Sequence, residues 1–492
     1  MSQRTLGIGA AVFALFASGC VVGPRYVRPS TPPPPATFKE VAPQPAGGAE
    51  WRPAQPDDAA LGGAWWEVFG DPLLSDLEGR VAVSNQSLKV AEAQYAQARA
   101  LVRSARAGEF PTLGASASAT RQHTGSGTST SPAGSPRDAT VYTLSADLTY
   151  ELDVWGKIRN SVVSARAGAA ASAADLATVR LSLQAELAAD YFALRGQDAQ
   201  RQLYEETVAA EAKALELTTD RYAQGVAAKA DVAQARTLLE STRSAAIDLG
   251  VVRASLEHAI AVLTGENPSS FTVPASPLDA KPPAIPVALP SQLLERRPDV
   301  AAAERRAAAA NAQIGIAMAA YFPDFNFSAA GGFQSASLAS WLDWPARFWS
   351  LGAALAATVF DGGRRHALTD QARASYDAAV ATYRESVLAA FQDVEDALAT
   401  TRILAEEADR EDRAADAAAE SLRAALARYR GGVASYLDVI VTQAADLSIR
   451  RDAVSIASRR MVASVQLVKA LGGGWTASNR DDAAPIAGRS TP

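Results

Sequence analysis

Two copies of one short motif hold most of the side chains in this chain that could act together. RYAQGVAAKADV (Arg221–Val232) and RYRGGVASYLDV (Arg428–Val439) both read R-Y-x-x-G-V-A-x-x-x-D-V. A phenol and a carboxylate at this spacing, Tyr222 with Asp231 and Tyr429 with Asp438, can trade hydrogen bonds or put charge at a constriction. Such a pair supplies no nucleophile and no metal site. Cys20 is the single cysteine, so an intrachain disulfide is impossible, and a thiol this near the N-terminus invites acylation instead. The three histidines, His123, His258 and His366, lie far apart, and methionine occurs three times, so no dedicated metal site is expected. H-E-x-x-H, G-x-S-x-G and P-loop signatures are all missing from the sequence. The chain therefore reads as something other than an enzyme, with no cofactor.

The elements that must position these residues begin with the bulk properties. A chain of 492 residues with 48% hydrophobic and 20% charged content can bury a large core. The net charge of −6 is built from interspersed signs, which excludes a basic nucleic-acid surface. Arg4 precedes LGIGAAVFALFA, an apolar run too short to span a bilayer, and Ser18 and Gly19 precede Cys20. Residues 1–19 thus read as a secretory signal peptide. The A-S-G-C ending resembles a bacterial lipobox, in which Cys20 becomes the lipidated first residue, and Val21 rather than aspartate after it suggests sorting to the outer membrane. Ala17 stands where leucine is usual, so an ordinary signal peptide with an incidental cysteine is the alternative. No later stretch offers the roughly 18 apolar residues of a membrane helix.

Residues 20–62 are rich in proline, glycine and alanine and read as an extended arm. Two halves follow, 63–265 and 291–475, joined by a proline-rich connector at 266–290, with a disordered tail expected at 476–492. Each half presents the same order of features. An alanine-rich helix ends at Phe-Pro (Phe110-Pro111; Phe322-Pro323), a weakly polar stretch closes in W-G-K or G-G-R, and a long helical run reaches the R-Y-x-x-G motif. A second helix then ends in L-T-G or L-G-G. Matching order at near-constant offset points to internal duplication. The run from about Ser161 to Tyr222 would make roughly 90 Å of helix. In the second half, Tyr376, Val380, Tyr383, Val387, Ala390, Val394 and Ala397 alternate four and three apart, the spacing of a coiled coil. Gly225 and Gly432 suit left-handed C-caps. Asp231 and Asp438 then fall at the start of a returning helix, where the dipole favours a carboxylate. Each half is thus a long helical hairpin with the motif at its tip, near 222–232 and 429–439. Support of the turn alone would also account for both aspartates. In LLERRPDV, Pro298 suits a first helical turn, and Arg296 and Arg297 read as architectural.

Strand pairs are expected at 112–152 and 324–360. In YTLSADLTYEL, Tyr142, Leu144, Ala146, Leu148, Tyr150 and Leu152 alternate with Thr143, Ser145, Asp147, Thr149 and Glu151. Leu113 to Thr120 alternates more weakly. In the second half Phe325, Phe327, Ala329 and Phe333 alternate with polar or small residues, as do Leu351, Ala353, Leu355 and Val359. HTGSGTSTSPAGSPRD reads as a solvent loop. In WLDWPARFW, Trp341, Trp344, Phe348 and Trp349 suit a membrane–water interface. Tilted strands of this length can cross a bilayer, whereas two soluble hairpins packed on helices are the alternative. Four strands cannot close, so if they span, several copies must share one barrel.

An ordered set of stretches resembles the TolC-type outer-membrane efflux protein family, in its lipoprotein (OprM/NodT-like) branch. The set is CVVGPRYVRP, WWEVFGDPLL, LLERRPDVAAAE, YFPDFNF, RYRGGVASYLDV and KALGGGW, and together these cover nearly all of the mature chain. The resemblance implies a mainly α fold with a small membrane β part: a homotrimer, a 12-stranded β-barrel shared by three chains, and a periplasmic α-helical tunnel. It implies an exit duct for drugs or other small toxic compounds, lipid-anchored in the outer membrane of a Gram-negative bacterium. Its partners would be a periplasmic membrane-fusion adaptor and an inner-membrane RND-type pump. Tyr222, Asp231, Tyr429 and Asp438 would hold the periplasmic end closed, with Asp231 accepting a hydrogen bond from Tyr429 and Asp438 facing the pore. Val441 stands where the family often has a further aspartate, so a double acidic ring is not expected. A duct for type I protein secretion would use the same architecture, and a lipid-anchored periplasmic coiled-coil scaffold would use the helices but not the strands.

Overall fold

The computed structural model describes residues 21–33, 35, 38–40, 63–124, 137–285 and 297–473. Cys20, the signal segment, most of the arm, Arg296 and the tail 476–492 lie outside the described residues, as does the middle of the first strand–strand loop. Among the described residues a 3-10 turn at Trp65–Phe69 leads into α1 (Pro72–Ser84) and α2 (Gln86–Ala107). Then come β1 (Thr112–Thr124), β2 (Arg137–Leu152), α3 (Lys157–Ala223) and α4 (Lys229–Leu263). α5 (Pro298–Ala319), β3 (Asp324–Ser335), β4 (Arg347–Ala356), α6 (Arg364–Arg430) and α7 (Tyr436–Ala470) complete the order. No helix among the described residues is long and apolar enough to cross a membrane.

α3 and α6 are each 67 residues long, and α4 and α7 are each 35. A helix of 67 residues runs about 100 Å, which these alanine-rich segments can sustain because no proline interrupts them. α3 starts at Lys157, four residues before the expected Ser161, because Asp153 caps it. That carboxylate accepts the amides of Ile158 and Arg159 at 3.0 and 2.9 Å and pairs with the Arg159 guanidinium at 3.1 Å. Asp361 does the same for α6, accepting the amides of Gly363 and Arg365 and pairing with the Arg365 guanidinium at 2.7 Å. Of the expected heptad stripe, Tyr383, Val387, Ala390, Val394 and Ala397 are buried, while Tyr376 and Val380 are half-buried.

Chain contacts divide the molecule into two compact units, 1–30 with 95–172 and 303–383, and 31–94 with 173–302 and 384–492. Each unit draws on both halves of the sequence. In the first, the strands form one antiparallel sheet ordered β1-β2-β3-β4. Its register extends the alternation across all four strands. Leu113, Leu148, Ala329 and Leu351 share one row, as do Ala115, Ala146, Gly331 and Trp349. The intervening rows carry Gly114, Asp147, Ala330 and Ser350, then Ser116, Ser145, Gly332 and Phe348. On that polar face Ser145 donates to Asp147 at 2.8 Å and shares a hydrogen bond with Ser116 at 3.0 Å. A Cβ at Gly332 would overlap the Leu144 carbonyl, which is why glycine stands in the row. On the apolar face Leu113, Trp349, Leu351 and Leu355 are exposed.

Three strand bounds differ from the sequence expectation. β1 and β2 run on into the stretch read as a solvent loop, with Arg121 opposite Thr140 and His123 opposite Asp138, because backbone pairing continues where both faces have become polar. β4 starts at Arg347, so Phe348 and Trp349 are strand residues rather than loop residues, and alternation sends them to opposite faces. Val359 lies beyond the end of β4 and is fully exposed.

Residues 21–30 form a strap in the same unit. Val22 donates to the Trp155 carbonyl and accepts from Asn160, and Pro24 accepts from Asn311. Tyr26 donates to Glu304 at 2.7 Å, and Arg28 donates to the Tyr383 hydroxyl at 3.1 Å. In the second unit a polar network fastens the start of the connector. Arg195 and Arg253 hold the nearly buried Asp198 at 3.5 and 2.7 Å, and the same two guanidiniums donate to the carbonyls of Pro274 and Val273. Arg297 pairs with Asp299 and Asp393 at 2.6 and 2.8 Å and donates to the Ala470 carbonyl, which joins the start of α5 to α6 and to the end of α7.

Glu78 on α1 breaks the rule that buried polar groups are paired. It is 0% exposed, and neither carboxylate oxygen has a partner among the described residues. Burial pushes its carboxyl up to about 9 from 4.5. The folded protein therefore keeps a proton that the unfolded chain releases, and stability falls as pH rises from about 4.5 to about 9. Glu78→Leu is expected to stabilise the protein by roughly 1–3 kcal/mol at pH 8, read as a higher thermal midpoint. The gain should shrink toward pH 5. A gain independent of pH between 5 and 8.5 would show that Glu78 is not protonated in the fold.

Candidate functional site

The hairpin tips are built by backbone conformation first. Gly225 has φ +76° and Gly432 φ +75°, a region that side chains with a Cβ rarely adopt. At the first tip Gly225 donates to the Tyr222 carbonyl at 2.9 Å and Val226 donates to the Arg221 carbonyl at 2.8 Å. At the second, Gly432 donates to Tyr429 and Val433 to Arg428, each at 3.0 Å. Both are Schellman closures, which satisfy the last helical carbonyls and turn the chain back.

The two aspartates stand three residues into the hydrogen-bonded caps of the returning helices. Asp231 accepts from the Ala228 amide at 3.0 Å. Ala228 has no side-chain acceptor, so only this half of a capping box exists at α4. Asp438 accepts from the Ser435 amide at 3.1 Å, and Ser435 Oγ accepts the Asp438 amide at 3.4 Å, which completes the box at α7. Asp231 is half-buried and Asp438 exposed.

The expected hydrogen bond from Tyr429 to Asp231 is not formed. Tyr429 instead donates to Thr218 Oγ1 on α3 at 3.3 Å, while Asp231 is held to the amide end of its own helix. Tyr429 is 4% exposed, and its ring lies 5.3 Å from that of Tyr436, among Ala235, Val439, Leu215 and Leu426. Burial pushes the Tyr436 phenol up to about 12, with Tyr429, Glu211 and Asp231 adding to the shift. Tyr222 is left 45% exposed.

Arg221 ties the two hairpins together. Its Nη1 donates to the carbonyls of Tyr429 at 3.0 Å and Arg430 at 3.4 Å, at the C-terminal end of α6. A cation there meets the negative pole of the helix. The guanidinium also lies 4.7 Å from the centroid of the Tyr429 ring. Sequence reasoning passed over Arg221, Thr218 and Tyr436. The available signals were the arginine that opens both motif copies and the differences between the copies: Tyr436 stands where the first has Lys229, and Ala425 where the first has Thr218.

The aromatic residues of the second strand pair are likewise sorted by the structure. The Trp341 ring lies 6.1 Å from that of Tyr142, Trp344 lies beneath the Arg347 guanidinium at 4.1 Å, and Trp349 projects from the apolar face, 76% exposed. Phe348 is on the polar face with Ser145. Among the described residues no three metal-ligating side chains converge.

The family model for outer membrane efflux proteins matches residues 79–266 and 289–473. The chain is 32% identical over 481 residues to the outer membrane protein OprJ of Pseudomonas aeruginosa, covering 96% of this chain and 97% of that one. It is 31% identical to the probable efflux pump outer membrane protein TtgC of Pseudomonas putida, with 95% of each covered. Among solved structures, the outer-membrane channel OprN superposes with a TM-score of 0.84 at 31% identity, covering 93% of this chain and 100% of that one. The open state of the MtrE outer membrane channel of Neisseria gonorrhoeae superposes with a TM-score of 0.80 at 29% identity, covering 92% and 98%. A four-stranded sheet with one apolar face, two helical hairpins of matched length and agreement along almost the whole chain place this protein in the outer membrane efflux protein family.

Proposed function

We propose that this chain is the exit duct of a tripartite efflux pump, passing small toxic compounds across the outer membrane. The family are outer-membrane efflux channels. The observation that carries the finer reading is the sheet: its apolar face is exposed, and β1 and β4 each have a strand neighbour on one side only. Lipid offers no hydrogen bonds to such edges, so β1 of one copy must pair with β4 of another until the ring closes. Three copies make a barrel of 12 strands, within the range of known barrels. The apolar rows then face lipid, with Trp341, Trp344 and Trp349 at the interface, and the Ser116–Ser145–Asp147 face lines the lumen. The paired hairpins of three copies gather into a periplasmic tunnel, where an adaptor protein and an inner-membrane RND-type pump complete the assembly. A scaffold without a membrane sheet would leave the apolar rows in water. OprJ and TtgC are described as an outer membrane protein and an efflux pump outer membrane protein, which supports efflux over protein secretion.

Leu148→Arg puts a charge on the lipid face and is expected to cost roughly 2–4 kcal/mol near the bilayer midplane, seen as lost heat-modifiable trimer. Thr149→Arg, on the lumen face, should leave trimer yield intact and change single-channel conductance. Equal loss of trimer from both would overturn the assignment of the faces.

Cys20 supplies the membrane anchor as a lipidated N-terminus, with the barrel providing most of the insertion. Cys20→Ala is expected to abolish labelling by radioactive palmitate while part of the trimer still reaches the outer membrane. Persistent label would sink the assignment.

The tips form the periplasmic gate, with Tyr222, Asp231, Tyr429 and Asp438 around it and Arg221 as the tie within each chain. Arg221→Ala removes both the helix-end contact and the ring contact. It should raise conductance and sensitivity to large antibiotics such as vancomycin more than Tyr429→Phe does, because that variant loses one neutral hydrogen bond of about 1 kcal/mol. Wild-type conductance and antibiotic entry in a correctly assembled Arg221→Ala trimer would mean that the gate lies elsewhere.

A further inference from the structure

Glu211 on α3 meets Thr242 on α4, and the pair is out of keeping with the seam it sits in. Thr242 Oγ1 donates to Glu211 Oε1 at 3.2 Å, and both side chains are buried. The internal duplication shows that the fold does not require them. α3 and α6 are equal in length, as are α4 and α7. Counted from the arginine that opens each tip motif, Glu211 and Thr242 correspond to Ala418 and Ile449. One hairpin therefore has apolar side chains at this level of its seam, while the other buries a carboxylate there, which is costly without a partner. Glu211 is 3% exposed, and its Oε2 has no partner among the described residues. Burial raises the carboxyl above its ordinary value, with only the Thr242 hydrogen bond opposing the shift and no cation contributing.

Glu211 and Thr242 line a cavity of about 230 Å³ between α3, α4 and α7. The rest of its wall is of two kinds. Leu238, Ala245 and Leu447 make one side apolar, and Ser241 and Ser448 add hydroxyls. Ser241 gives its proton to the Leu238 carbonyl at 2.7 Å, which leaves it an acceptor toward the cavity. Arg451, also on the wall, is engaged by Asp452 at 3.2 Å and by the Tyr204 hydroxyl. The cavity thus combines an uncompensated carboxylate oxygen, hydroxyl lone pairs and an apolar side.

We propose that this cavity binds a small primary alkylammonium ion, with Glu211 as its counter-ion. An ammonium group has three donors and no acceptor. That matches a free carboxylate oxygen beside hydroxyls, and a short alkyl tail suits the leucine side. Calcium and magnesium take more oxygens than one carboxylate and a few hydroxyls supply. The bound ion would touch α3 and α4 of the first hairpin and α7 of the second, and so fasten the two hairpins to each other above their tips. All three helices belong to one chain, so the inference goes beyond the duct reading and does not depend on the number of copies.

The test titrates the full-length protein in detergent with n-butylammonium chloride by calorimetry, with the thermal midpoint as a second readout. Saturable binding and a raised midpoint are expected. n-Butanol, which lacks the charge, and tetramethylammonium, which lacks N–H donors, should produce neither. Glu211→Gln keeps the size of the side chain and should weaken n-butylammonium binding by about ten- to a hundred-fold, the effect of losing one charge-assisted hydrogen bond. Glu211→Ala with Thr242→Ile copies the pair of the second hairpin, so it should fold and bind no amine. The inference is overturned if wild type shows no saturable binding, the free oxygen then meeting only water. It is equally overturned if tetramethylammonium or sodium chloride acts as n-butylammonium does, or if either variant binds as wild type does. Single-channel conductance of the same preparation tests the duct reading separately. Conductance without amine binding removes this inference alone, and amine binding without conductance leaves it standing while the duct reading falls.

Discussion

A β-sheet has backbone donors and acceptors along both edges, and in lipid those groups have nothing but other protein to bond to. Among the described residues there are four strands, each paired only with its sequence neighbours, so β1 and β4 end that sheet. The sheet's apolar rows are uncovered as well, with Leu113, Trp349 and Leu351 exposed. The need to close the sheet is what makes a multi-copy channel the economical reading. On the proposed barrel the alternation of the strands follows too, since one face would meet hydrocarbon and the other water.

The helical part answers a different requirement. Helices of about 100 Å need fixed ends and packed sides. Asp153 and Asp361 fix the starts of α3 and α6 through backbone amides and an arginine each. Glycine at positive φ closes the other end. Both devices act locally and cost little sequence, which leaves the helix flanks free for alanine and for close approach between axes. Charged clusters are spent where segments of different helices or loops meet. Arg297 does this at the start of α5, and the Arg195–Asp198–Arg253 network does it where the connector docks. These ties are partly buried and satisfied by carbonyls as well as carboxylates, so they specify where chain segments lie.

At the tips, the same local device leaves the aspartates occupied. A carboxylate near a helix N-terminus is drawn to the amides of its own cap, and Asp231 and Asp438 both bond there. The link between hairpins falls instead to a cation at a helix C-terminus, which is the electrostatic mirror of the same rule. Tyrosine at the tip then acts mainly through its ring, as a surface for the guanidinium and for Tyr436.

Much of this was legible in the residues. Alternation in Tyr142 to Leu152 announced a strand with two unlike faces, and the register carried it across the sheet because pairing preserves the period of two. Absence of proline announced the long helices, and R-Y-x-x-G announced their ends, since few residues other than glycine tolerate the required φ. Bounds failed where the signal faded but the backbone continued, as in Arg121 to Thr124. The WPARFW stretch failed for the opposite reason: its aromatics drew attention to the loop, while backbone pairing made Phe348 and Trp349 part of β4 and alternation parted them. What the sequence by itself determined is everything set by neighbours along the chain: periodicity, caps, turns and the duplication of the tip. Only the tertiary structure decided which of two identical arginines would be used and which tyrosine would be buried. The Arg-Tyr pair is the same at both tips, and the difference lies in the side chains around it, Thr218 and Tyr436 in one case and Ala425 and Lys229 at the matching positions in the other.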